Sequence, residues 1–68
     1  MHGPVTEGQR GALTRVRRAQ QLLETTAHSV ERVADLAGFA SPTTLRAQFQ
    51  QTVGTSPKVY RRAFRGSA

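Results

Sequence analysis

Four side chains in one short stretch carry most of the chemistry this sequence can offer. In "SPTTLRAQFQQTV", residues 41–53, Thr43, Arg46, Ala47 and Gln50 recur at three- and four-residue steps. That spacing gathers them on one side of a helix, roughly opposite Leu45, Phe49 and Val53. No acid lies between Ser41 and Gln51, whereas a face that only had to dissolve would usually carry Glu–Lys pairs. A forked cation, an amide, a hydroxyl and methyl groups are the tools for reading a DNA major groove. Arg matches guanine O6 and N7, Gln matches adenine N6 and N7, and Thr or Ala methyls match the thymine methyl. Ordinary solvated surface is the alternative for an uncharged polar face, and the missing acids count against it.

Base reading needs an orientation, and contacts to phosphate fix it. Thr55, Ser56, Lys58 and Arg61 surround the start of a helix opened by Pro57, where free N–H groups and the positive dipole end suit a phosphate. Ser41, at the start of the reading helix, joins them. Arg15 and Arg18, with Arg17 between them, stand on a preceding helix and are further phosphate candidates. Pairing of Arg17 or Arg18 with Glu24 or Asp35 is an equal alternative. Arg62 and Arg65 add general attraction. Tyr60 and Phe64 fit a core better than a base-stacking platform, and His28 fits a helix-end cap or plain surface.

Composition points to the same class of partner. The chain has 68 residues and a net charge of +6, and Lys58 is the only basic residue that is not arginine. Such a balance favours a polyanion, nucleic acid before an anionic membrane. A cationic membrane-active bundle is disfavoured, because the arginines are spread over several helices. With no cysteine and only His2 and His28 as nitrogen ligands, neither a disulfide nor a metal site is expected. No Gly-rich phosphate loop, catalytic constellation or close pair of acids is present, so no enzyme activity, cofactor or small-molecule ligand is expected. No apolar run approaches about 20 residues and no secretory block opens the chain, which fits a cytoplasmic protein.

The elements that must hold these residues follow from local chemistry. Residues 1–10 are expected to be a flexible lead-in. An amphipathic helix then runs through Ala12, Val16, Ala19 and Leu23, and "TTAHS" breaks it. Ser29 caps a two-turn helix with Val30, Val33, Ala34 and Ala37 inward, and Gly38 closes it. Phe39 plugs the space before Ser41 and Pro42 open the third helix, which Gly54 ends. Ser56 and Pro57 repeat the device, with Val59, Tyr60, Ala63 and Phe64 as the inner face of a last helix. The expectation is an all-α, homeodomain-like domain over residues 11–66, with a frayed tail at 67–68. It comprises a connecting helix, a helix-turn-helix and a C-terminal helix.

Ala34, Gly38, Phe39, Ser41, Phe49, Gly54, Ser56, Pro57, Tyr60 and Arg61 together resemble the second, C-terminal helix-turn-helix half of the AraC/XylS-type bacterial transcription regulators. The resemblance covers residues 13–65. It implies that "RVRRAQQLLE" is the helix connecting two such halves and that 41–53 is the recognition helix, with base contacts at Thr43, Arg46, Ala47 and Gln50. Ala47 stands where family members often have a longer polar or basic residue, and Pro42 stands where Gln or Ala is common. Residues 1–12 are too few for a first half, so the resemblance implies a fragment or a half-sized reader. Tight binding to double-stranded DNA would then need the missing half or a partner chain. Four to six neutralised phosphates give a log–log salt slope of about −4 to −5, and half a reader implies micromolar or weaker site binding. A module docking on an acidic partner, such as an RNA polymerase subunit, is the competing reading.

Overall fold

Serine side chains start three of the helices, and glycines end two of them. The computed structural model describes residues 7–66, with side chains described over 11–64. Its helices are α1 (Glu7–Thr25), α2 (Val30–Ala37), α3 (Pro42–Val53) and α4 (Pro57–Gly66). There is no strand among the described residues, so the fold is all-α as expected.

The three Ser caps are all made. Ser29 accepts from the Arg32 N–H at 3.1 Å, Ser41 from Thr44 at 3.2 Å and Ser56 from Val59 at 3.2 Å. Each satisfies one of the backbone donors that a helix start leaves open. At the other ends, Gly38 and Gly54 sit at φ 90° and 93°, a left-handed backbone that suits glycine. Gly38 donates to Asp35 O and Phe39 donates to Ala34 O at 2.9 Å, the paired bonds of a Schellman ending. That ending turns the chain sharply and delivers Phe39 into the core. α1 ends differently. The Thr25 and Thr26 hydroxyls donate back to Gln21 O and Leu22 O, both at 2.7 Å, which competes with continuation of the helix.

Val16, Ala19 and Leu23 of α1, Val33, Ala34 and Ala37 of α2, Phe39, and Leu45 and Phe49 of α3 form one buried cluster. α1 packs on all three other helices and is the post around which they are arranged. Val53 is only half-buried, because its register places it at the margin of the inward stripe.

Two expectations need correction. α1 begins at Glu7, so residues 7–10 are helical where an irregular lead-in was expected. Apolar periodicity cannot mark such a start, and a helix already nucleated downstream propagates backward through Gly11 and Gly8 at only about 1 kcal/mol for each glycine. The remaining lead-in, 1–6, and the tail at 67–68 lie outside the described residues. On α4, Val59 and Phe64 are 50% and 47% exposed and Ala63 is exposed as well. Pro57, which is fully buried, and Tyr60 make the inner contact instead. A helix of only 10 residues lying across the end of α1 meets it along a narrow line, so most of its apolar stripe stays outside. No described helix is long and apolar enough to cross a membrane.

Candidate nucleic-acid interface

α3 is gripped from below by Leu45 and Phe49, both fully buried. Their burial fixes the rotation of the helix about its axis. Thr43, Arg46, Ala47 and Gln50 are consequently all exposed, side by side along the opposite surface. The structure thus brings the four candidate base-reading residues onto one face, with small Ala47 between the longer Arg46 and Gln50.

A cleft runs along each flank of this helix. One, of about 410 Å³, is lined by Val30, Glu31, Arg46, Ser56, Pro57 and Lys58. It lies where the N-terminal ends of α2 and α4 meet α3, and exposed Lys58 stands at its edge. The other, of about 200 Å³, lies beside the α2–α3 turn and includes Arg15, Thr44 and Gln48 in its lining. Arg15 folds over that turn, its Nε 3.9 Å from where a Cβ on Gly38 would stand. Gln48 Oε1 is buried there without a hydrogen-bond partner. Each cleft therefore places a cation from a neighbouring helix alongside α3.

The phosphate candidates separate into groups. Lys58 and Arg15 are exposed beside the clefts, and Arg18 is exposed on α1. Ser41 and Ser56 spend their oxygens capping α3 and α4, and Thr55 is half-buried between them. Arg61 is turned the other way. Its Nε donates to Leu23 O and its Nη2 to Thr26 O, both at 3.2 Å. Those carbonyls belong to the end of α1, where a helix leaves acceptors without internal donors. Arg61 is a clasp between α4 and α1.

Neither suggested partner of Arg17 and Arg18 takes that role. Asp35 pairs with Arg32 at 3.3 Å, one turn away on α2, and Glu24 accepts a hydrogen bond from the Tyr60 hydroxyl. That bond, then burial, then the charge of Glu24 push the Tyr60 hydroxyl above its ordinary value, with Gln20 acting in the opposite direction. The Tyr60 ring meets Phe49 edge-on at 5.4 Å and stacks with Phe64 at 6.4 Å. Tyr60 therefore joins α1, α3 and α4 and is not a platform for bases.

Sequence reasoning missed the reach of Glu31. It extends across from α2 to accept from Arg46 Nη2 at 3.5 Å. Nothing in the spacing of residues 41–53 could reveal it, because the contact depends on how α2 crosses α3. Thr44 and Gln48 were also passed over, although their four-residue step places them along one flank of α3.

A family model described as "Helix-turn-helix domain" matches residues 11–63. Among solved structures, the chain is similar to "Crystal structure of the DNA-binding domain of AdpA, the global transcriptional factor, in complex with a target DNA". The two share 43% sequence identity at a TM-score of 0.91, over 93% of this chain and 57% of that one. The chain thus spans just over half of the structure it matches. No curated protein sequence matches it significantly.

Proposed function

The chain belongs to the AraC-type helix-turn-helix family, and on that premise we propose that residues 11–66 bind double-stranded DNA sequence-specifically as part of a bacterial transcription regulator. α3 enters the major groove and presents Thr43, Arg46, Ala47 and Gln50 to base edges. One observation carries this reading: an exposed α3 face to which α3 itself contributes no acid, fixed in rotation by Leu45 and Phe49 and flanked by two clefts with cations on their margins. A helix lying in a major groove has a phosphate strand on either side, and Arg15 and Lys58 stand where those strands would pass. Similarity to a DNA-bound domain at 43% identity supports the same placement.

The role is recognition without catalysis, in the cytoplasm, and no cofactor takes part. With Arg61 engaged on α1, Arg15, Arg18, Lys58 and the N-terminal end of α4 remain as phosphate contacts. The corresponding salt slope is about −4.

Titrating the 15N-labelled protein with a duplex obtained by selection from randomised DNA tests the proposal. Amide shifts are expected at Thr43, Arg46, Ala47 and Gln50, with smaller ones around Arg15 and Lys58. If the duplex leaves α3 unshifted, or if an acidic protein such as an RNA polymerase subunit shifts the chain while DNA does not, the DNA reading is overturned.

A further inference from the structure

Of the acids with described side chains, Glu31 alone reaches the reading face. Glu24 is engaged with Tyr60 and Asp35 with Arg32. Glu31 lies in the first turn of α2, where the positive end of the helix favours its charge, and lines the cleft that also holds Lys58. It meets Arg46, which is the only charged residue of α3. Both side chains are largely in water, Glu31 65% and Arg46 51% exposed, so packing does not hold the pair together.

We infer that Glu31 is a specificity-determining residue that tethers Arg46, on the reading that α3 occupies the major groove. A guanidinium has five N–H donors in a rigid fork. Glu31 occupies one Nη2 donor from the α2 side, leaving another edge for guanine O6 and N7. A tethered Arg46 also has its charge partly offset toward any phosphate that passes. On non-cognate DNA the free cation would swing onto the backbone and bind any sequence. With Glu31 in place, that sequence-blind attraction is reduced while the contact to one guanine is kept. Glu31 therefore acts through Arg46 and raises the ratio of cognate to non-cognate affinity.

The test uses the whole chain, a duplex obtained by selection and a scrambled duplex of equal length, with affinities measured across a salt series. Glu31→Gln removes the charge. Glu31→Asp keeps the charge at the start of α2 but shortens the reach by one C–C bond, about 1.5 Å. Both substitutions are at an exposed position, and unchanged helical circular dichroism establishes that the fold is intact. In both variants, affinity for the scrambled duplex is expected to rise about threefold, as the released Arg46 guanidinium gains one screened phosphate contact. Its salt slope should steepen by about one unit as Arg46 is released to a phosphate, and the cognate-to-scrambled ratio should fall. In the Arg46→Ala background, Glu31→Gln should leave the ratio where Arg46→Ala alone puts it. An unchanged ratio in Glu31→Gln, or a full ratio in Glu31→Asp, overturns the tether while the DNA reading stands. A wild-type chain that does not discriminate the two duplexes overturns both.

Discussion

Arg61 lies against the end of α1, its guanidinium donating to two backbone carbonyls at 3.2 Å. Arg46 projects from the exposed face of α3, its guanidinium paired with the exposed carboxylate of Glu31 at 3.5 Å. The side chains are chemically identical, and sequence reasoning assigned both to DNA. The regions around them set the two apart. The α1–α4 seam contains helix-end carbonyls that need donors, and beside them a half-buried Tyr60 bonded to Glu24. A guanidinium is the group best able to serve two such acceptors at once. Arg46 stands mid-helix on α3, where the backbone carbonyls are bonded within the helix. Its cation meets the Glu31 carboxylate instead. One region uses charge to hold helices together, and the other leaves its charge in a loose, exposed pair.

Removing the support beneath both regions gives the largest effect. Phe49 is fully buried and touches Tyr60, so it contributes to the seam and also fixes the rotation of α3. Phe49→Ala should cost about 3–5 kcal/mol, comparable to the entire stability of a domain this small. Circular dichroism at 25 °C should show an unfolded or barely folded chain. Thr43→Ala on the exposed face of the same helix should stay within about 0.5 kcal/mol of wild type. If Phe49→Ala melts cooperatively near the wild-type temperature, the two faces of α3 are not divided as described.

Exchanging the arginines one at a time sharpens the contrast. Arg61→Met keeps much of the aliphatic packing but deletes two charge-assisted hydrogen bonds, and should cost about 1.5–3 kcal/mol in urea unfolding. The base preference of the folded protein should be unchanged. Arg46→Met should have the opposite signature. Loss of an exposed pair alters stability by no more than about 1 kcal/mol, while discrimination at a single guanine should drop by about 1–3 kcal/mol. Arg61→Met that shifts base preference, or Arg46→Met that leaves it intact, would abolish the distinction between the regions.

The asymmetry also explains what could be learned from sequence. The ends of α2 and α3 and the start of α4 were legible because each has a local cause: Ser29, Ser41 and Ser56 cap, and Gly38 and Gly54 terminate. The inner residues of α1, α2 and α3 were legible because periodicity over a helix face is also local. The exposed face of α3 followed from Leu45 and Phe49 by simple rotation. The inward turn of Arg61 and the reach of Glu31 were hidden, since each joins residues from different helices. α4 misled for the same reason. Its periodic Val59, Ala63 and Phe64 look like a core stripe, yet whether a stripe is covered depends on the angle at which a short helix crosses its neighbour.

The smallest effect at neutral pH is confined to the seam and becomes large only in alkali. The Tyr60 hydroxyl is raised from its ordinary value of 10.0, chiefly by the hydrogen bond it donates to Glu24. A raised value in the folded state means that folding favours the protonated phenol. The stabilisation is therefore complete below the unfolded value near pH 10 and is lost as pH climbs through the higher folded value. Above that range a tyrosinate would face the Glu24 carboxylate, and the α1–α4 seam should loosen before α3 loses its caps. Tyr60 is the only tyrosine, so its own absorbance change follows the ionisation directly while melting temperature follows stability. Tyr60→Phe should lose about 1 kcal/mol at pH 7, the usual value of one hydrogen bond, and should flatten the part of the alkaline decline that tracks tyrosine ionisation. If wild type and Tyr60→Phe decline in parallel between about pH 9 and pH 12, either side of the ordinary tyrosine value, the Tyr60–Glu24 bond contributes nothing to the seam, and Arg61 alone joins α4 to the end of α1.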